Sequence, residues 1–384
     1  MTTLLTARAL MGRRDHGSTR TSGRLARAGI AALLLVVGVV GPAHSWVTSA
    51  PASRSPAGSA MVADSPLRDP ARRIGPTVER PARPTPSPRP LEPAPPSDRR
   101  DAPDPFVLTD GRRYALYTTQ VGLHNVPVST SSDLRHWSAP TDALPQLPDW
   151  AAWGRTWAPG VVRLGGRYVL YFAAQHAPSG RQCIGVAVSV TATGPFVPAG
   201  AGPLVCQTDL GGSIDPHPFV EPDGTVVLLW KSDGNAKGQR SILFGQQLAP
   251  DGLVLEGQPS ALVASGAMWE EPLIENPAML AAGDGYILLY SGGWWESAGY
   301  AVGYATCATA LGPCTKATVD HPLLASAGNE AGPGGACLVT GPAGDHWLAY
   351  HAWTTGAVGY SIGGARSLRF ARMAVADSQP VITR

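Results

Sequence analysis

The chain reads as all-β, with residues 101–384 forming a five-bladed β-propeller. Three observations carry that reading. Beyond residue 100 there is no long stretch of helical periodicity. Short apolar runs are separated instead by Gly, Pro and Asp. One pattern also recurs five times: a Pro near its head, an apolar strand, a Gly-containing turn, and a second strand rich in Tyr, Trp, Leu or Val.

The units begin with "DPFVLTDGRRYALYTT" at Asp104 and "WAPGVVRLGGRYVLYFAA" at Trp157. "DPHPFVEPDGTVVLLWKS" follows at Asp215, "ENPAMLAAGDGYILLYSGG" at Glu275 and "GPGGACLVTGPAGDHWLAYHAW" at Gly332. The starts are 53, 58, 60 and 57 residues apart. In a propeller the first strand of each unit lines the central channel. A Pro at a strand's start costs little there, because no ladder donor is lost. Asp104, Asp215 and Glu275 are therefore expected at equivalent strand heads, facing one shared, partly solvated pocket. "WEEPLIENP" offers Glu270 as a rival to Glu275. From Glu275 to Tyr286 is 11 residues, close to the 10 from Asp104 to Tyr114 and the 11 from Trp157 to Tyr168. Glu270 would need 16, so the register selects Glu275 and leaves Glu270 or Glu271 on an approach loop.

The first hundred residues read differently. "AGIAALLLVVGVVGPAHSW" from Ala28 has the length of a secretory-signal core and small residues after it, with cleavage near Ser45 or Ala50. An uncleaved membrane anchor is the alternative. Residues 1–50 are thus a signal region. Residues 51–100 hold 13 of the 37 prolines and almost no apolar residues able to bury surface, so a disordered, extended linker is expected. From 101 onward there are 15 basic and 22 acidic residues, which argues against a nucleic-acid partner. In an exported chain an even subset of the five cysteines pairs. Cys307 with Cys314 is the first choice, Cys183 with Cys206 the second, and Cys337 is left over. No Cys-x-x-Cys or His-rich spacing signals zinc.

Three carboxylates around one funnel repel one another, so their ionisations split. Hydrolysis of a glycosidic bond needs one acid kept protonated and one base kept ionised. The third carboxylate can orient the acid and tune it. Trp157 offers a sugar-stacking face, with a plug of the channel wall as the alternative. Trp294 or Trp295 offers a second platform, or packing. Arg366 could reach a sugar hydroxyl or form a surface ion pair. His351 in "YHAW" reads as a structural, hydrogen-bonded residue, and Asp133 and Trp137 in "SSDLRHW" as a turn.

Taken together, "APDPFV", "SSDLRHW", "TWAPGVV", "SIDPHPF", "IENPAML", "YAVGYATC…LGPC", "GPGG" and "YHAW" run through nearly all of residues 101–384. In that order the chain resembles glycoside hydrolase family 43, the five-bladed arabinanases, α-L-arabinofuranosidases and β-xylosidases. The resemblance implies Asp104 as general base, Glu275 as general acid and Asp215 as tuner and orienter. It implies inversion, with acid and base about 6.5–9.5 Å apart. It also implies a secreted monomer whose partner is an arabinose- or xylose-containing glycan, without a stable membrane span after signal cleavage. Two departures bear on the site. Many relatives read Gly-Pro-Gly-His where this chain has "GPGG", and Gly335 cannot hold a channel metal or water as that His does. Gly160 after "WAP" replaces a common acidic residue. No cofactor and no metal are expected, and a sugar-binding propeller without turnover is the alternative function.

Overall fold

A computed structural model of the chain describes residues 100–384 apart from 112, 342 and 343. The expected signal and linker lie outside the described residues. Twenty strands form five antiparallel sheets of four, each a meander in chain order. Blade one holds β1 (Phe106–Asp110), β2 (Arg113–Tyr117), β3 (Pro127–Ser131) and β4 (Thr141–Asp142). Blade two holds β5 (Ala151–Leu164), β6 (Arg167–His176), β7 (Gln182–Ser189) and β8 (Val197–Ala199). Blade three holds β9 (Ser213–Val220), β10 (Val226–Ser232), β11 (Ile242–Leu248) and β12 (Leu255–Ala264). Blade four holds β13 (Ile274–Ala282), β14 (Gly285–Gly292), β15 (Ala301–Cys307) and β16 (Cys314–Lys316). Blade five holds β17 (Glu330–Thr340), β18 (His346–Thr354), β19 (Ser367–Ala376) and β20 (Gln379–Thr383). The helical content among the described residues is four short 3-10 turns.

The second strand of each blade is apolar on both faces, and five core clusters explain why. Along β10, Val226, Leu228 and Trp230 pack toward blade two, while Val227 and Leu229 pack toward blade four. Side chains alternate across a strand, so a blade sandwiched between two neighbours needs apolar residues at both parities. Ile287 and Leu289 of β14 face blade five in the same way, and Leu288 and Tyr290 face blade three. The fifth cluster closes the ring: Ala102, Val107, Tyr114 and Leu116 meet Cys337, Val339, Trp347 and Ala349.

Closure also uses the backbone. Asp101 forms a bridge with Ser367, and the Ala102 N–H donates to the Arg366 carbonyl at 2.9 Å. This seam brings residue 366 beside residue 104. The disulfides are Cys183–Cys206 and Cys307–Cys314, both as expected, and Cys337 is free and buried. Burial pushes its thiol up to about 12, and it accepts the Val107 N–H at 3.2 Å. Asp133 accepts the N–H groups of Arg135 and His136, so "SSDLRHW" does form a turn after β3. No helix among the described residues is long and apolar enough to cross a membrane.

Candidate active site

One left-handed residue marks each blade's entry into the channel: Asp104 (φ 51°) just before β1, and Ala158 (41°), Asp215 (56°), Asn276 (50°) and Gly335 (60°) within the first strands of the other blades. Four of them are not glycine. Asp and Asn tolerate this conformation through local hydrogen bonds, whereas Ala158 sits there at a cost of about 1–2 kcal/mol. The same five residues ring a cavity of about 30 Å³, the size of one water.

This ring corrects the expected equivalence of the three carboxylates. Asp104 and Asp215 occupy matching left-handed positions, but Glu275 lies one residue earlier, matching Trp157. The reason is visible in the register. Ser291 pairs with Glu275 as Ala173 pairs with Trp157, and a bulge follows in both strands. Blade five's matching residue is Gly335 and not Gly332, since His351 pairs with Gly334.

At three junctions a side chain in or just past the second strand of the preceding blade captures the N–H of the left-handed residue. Thr119 Oγ1 accepts from Ala158 at 2.8 Å, Ser291 Oγ from Gly335 at 2.9 Å, and His351 Nδ1 from Asp104 at 3.0 Å. Each captor extends the row of side chains aimed at the next blade. Lys231 extends the row of Val227 and Leu229, opposite Ile214. An ammonium cannot accept a hydrogen bond. The Asn276 N–H donates instead to Asp215 Oδ2 at 2.9 Å, and Lys231 Nζ reaches Glu275 Oε2 at 3.0 Å.

All six residues expected at the site line one cavity of about 530 Å³: Asp104, Asp215, Glu275, Trp157, Trp294 and Arg366. That is an ordinary volume for a small-ligand site. Asp104 Oδ2 accepts from Thr119 Oγ1 at 2.6 Å, and the Arg366 guanidinium lies 3.3 Å from Oδ1. Arg366 is therefore not in a surface ion pair. It is 7% exposed, lies 4.7 Å from the centre of the Trp295 ring, and donates through Nε to Tyr360. Its place is decided by the seam, where its own N–H donates to Asp101. Burial works against its charge, yet Asp104, Tyr360 and Asp101 hold its pKa above the ordinary value.

Glu275 takes two hydrogen bonds, from Lys231 on Oε2 and from Tyr300 on Oε1 at 2.8 Å. Burial, then the charge of Glu275, pushes Asp215 well above the usual carboxylate range. Burial favours the neutral amine of Lys231, but Glu275, Asp233 and Asp215 together hold its pKa above the usual lysine value. Glu270, the rival, is fully buried and outside the cavity. Its Oε2 accepts from Gly266, Ala267 and Lys316, and its Oε1 from Tyr290. Glu271 is exposed and does not line the cavity.

Two positions of the channel wall leave no room for a side chain. A Cβ on Gly335 would stand 2.7 Å from the His351 ring and 3.1 Å from Asp104 Oδ1, so no side chain fits there. His351 is fully buried; burial and then Arg366 keep it neutral. With Nδ1 accepting the Asp104 N–H, its proton sits on Nε2, which has no protein partner. An N–H there is a donor to water and not a metal ligand. Gly160 is equally constrained, since a Cβ would lie 2.5 Å from the Pro216 carbonyl. An acidic side chain has no room at that position here.

Trp295, read with Trp294 as a platform or a packing residue, also lines the cavity, whereas Lys231, Tyr300, Thr119, Asn276, Asp101 and Tyr360 escaped the reading of the sequence. Lys231 had a signal: a lone charge at the end of an apolar run must find a partner if it is buried. Asn276 had its Asn-Pro pair, and the rest had none.

Residues 96–379 match the sequence profile of glycosyl hydrolases family 43. The chain belongs to that family. It is 29% identical over 246 residues to an extracellular endo-α-(1→5)-L-arabinanase of Thermotoga petrophila, covering 55% of this chain and 50% of that protein. A second extracellular endo-α-(1→5)-L-arabinanase, from Bacillus subtilis, is 27% identical over 241 residues, covering 55% and 49%. The chain thus spans about half the length of these curated relatives. Among solved structures, a thermostable family-43 glycoside hydrolase superposes with a TM-score of 0.66 at 27% identity, over 73% of this chain and 92% of that one. An endo-1,4-β-xylanase from Bacteroides thetaiotaomicron gives 0.64 at 25% identity, over 74% and 94%.

Proposed function

We propose that the chain is an exported, inverting glycosidase that cleaves arabinofuranosyl or xylosyl linkages in polysaccharide or oligosaccharide. The observation that carries this is the meeting of Asp104, Asp215 and Glu275 in one cavity with Trp157, Trp294 and Arg366. The arabinanase and xylanase relatives support a pentose-containing substrate. Export rests on the apolar run from Ala28 and on the extracellular relatives.

In this reading Asp104, paired with Arg366, takes a proton from water as its oxygen attacks the anomeric carbon. Glu275 gives its proton to the departing glycosidic oxygen on the opposite face. One C–O bond forms, one breaks, and the sugar leaves with inverted configuration. Burial and then the charge of Glu275 let Asp215 keep a proton further up the pH scale than an isolated carboxyl. The faces of Trp157 and Trp294 suit the apolar faces of sugar rings.

Nitrophenyl arabinofuranosides and xylosides, with linear and branched arabinan and xylan, test this directly. The expected result is turnover on the pentose substrates, with the first-formed product seen by NMR as the inverted anomer. Binding across the panel without turnover would favour a sugar-binding propeller, and a retained anomer would remove the roles of Asp104 and Glu275.

A further inference from the structure

We propose that Lys231, held between Glu275 and Asp233, is a positioning residue that sets the alkaline limit of the acid step, with Asp233 as its counterweight. This rests on the reading of Glu275 as the acid. The ammonium lies 3.0 Å from Glu275 Oε2 and 3.5 Å from Asp233 Oδ1, and its side chain is 1% exposed. It occupies the place where Thr119, Ser291 and His351 offer neutral acceptors at their own blade junctions. A lysine at this junction does two things that a neutral acceptor cannot. It leaves the Asn276 N–H to Asp215, tying the third carboxylate to the strand that carries Glu275. It also places a fixed positive charge against the acid.

The charged and titratable groups facing this ammonium come from several elements. Glu275 projects from β13, Asp215 from β9, and Asp233 from the turn after β10. Tyr300 approaches Glu275 from just before β15, stacked at 5.8 Å on the buried, neutral His351 of β18. Asp104 and Arg366 line the same cavity as an ion pair. Among these, Lys231 is the cation in hydrogen-bond contact with the acid. A positive charge at such a distance favours the ionised carboxylate. Removing that charge is expected to move the alkaline limb of the rate profile up. Asp233 partly cancels that charge, so removing Asp233 works in the other direction.

The two neighbours therefore have opposite signs, which a merely structural role does not produce. The test is the pH dependence of kcat/KM for Lys231→Met, Lys231→Arg and Asp233→Asn on an unactivated pentose oligosaccharide. The expected alkaline limb moves up by about one pH unit in Lys231→Met and down by a smaller amount in Asp233→Asn. Lys231→Arg restores the wild-type limb. Shifts of the same sign in Lys231→Met and Asp233→Asn, or no shift in either, would overturn the proposal. If Lys231→Met does not fold, Asp233→Asn decides alone: a limb that rises or stays put refutes the idea. If wild type hydrolyses nothing, the enzymatic reading has failed instead. The Glu275 carboxyl titration, followed by infrared difference against Glu275→Gln, then decides the electrostatic pairing by the same opposite shifts.

Discussion

Glu270 and Glu275 lie on one short stretch of chain and have the same kinds of partner. Each meets one lysine and one tyrosine: Lys316 and Tyr290 for Glu270, Lys231 and Tyr300 for Glu275. The difference lies in what else reaches them. Glu270 also accepts two backbone N–H groups at the entry to a 3-10 turn, is fully shielded, and has no way to meet a substrate. Glu275 is one of the walls of the 530 Å³ cavity, beside a second buried carboxyl. A glutamate with a lysine and a tyrosine is therefore not in itself a catalytic arrangement. The cavity and the neighbouring carboxyl are what set Glu275 apart, and they are what support its proposed role.

Exchanging the two roles by mutation gives the largest expected effects. Glu275→Ala should lower turnover of an unactivated glycoside by about 10²–10⁴-fold, and much less for an aryl glycoside whose leaving group barely needs a proton. Glu270→Ala should leave that leaving-group dependence unchanged. It should cost about 3–5 kcal/mol of stability in denaturant unfolding, because it strands Lys316 and Tyr290. The opposite assignment of these two phenotypes would show that the strand register had selected the wrong glutamate.

A smaller effect sharpens the contrast between the environments. Burial, and then Glu275, raises the pKa of Asp215, so the folded chain keeps a proton there that the unfolded chain releases above about pH 4. The folded state then binds more protons, and stability falls as pH rises from that value to the raised one. Asp215→Asn abolishes the loss. Relative to wild type, the variant should gain about 1.4 kcal/mol for each pH unit of that window, with little difference below pH 4. Equal pH dependence of unfolding in the two proteins would show that Asp215 is not held protonated. The smallest effect is expected at Glu271, which is exposed beside Glu270. Glu271→Ala should change stability by no more than about 0.5 kcal/mol and leave turnover as it is, which thermal unfolding and the same assays would check.

Much of the architecture was legible because a propeller writes its geometry into the chain at a fixed period. Each unit must fill both faces of its second strand, so apolar residues recur at both parities in β6, β10, β14 and β18. Each first strand enters the channel through a special backbone conformation, and the Asp-Pro, Ala-Pro and Asn-Pro pairs mark four of those five entries. That was enough to bring Asp104, Asp215 and Glu275 to one place from positions far apart. It was not enough to see that Glu275 stands one residue off the ring, because a bulge moves the register without leaving a compositional trace.

By itself, then, the sequence determined the number of blades and brought Asp104, Asp215 and Glu275 to one cavity, both of which follow from local periodicity. Tertiary structure alone decided which charges those carboxylates face. Arg366 meets Asp104 across 262 residues of chain, at the seam where the ring closes. Lys231 meets Glu275 across a blade junction, 44 residues away. Electrostatic partners depend on distance in space and on burial, and neither is encoded in the spacing of residues along one strand.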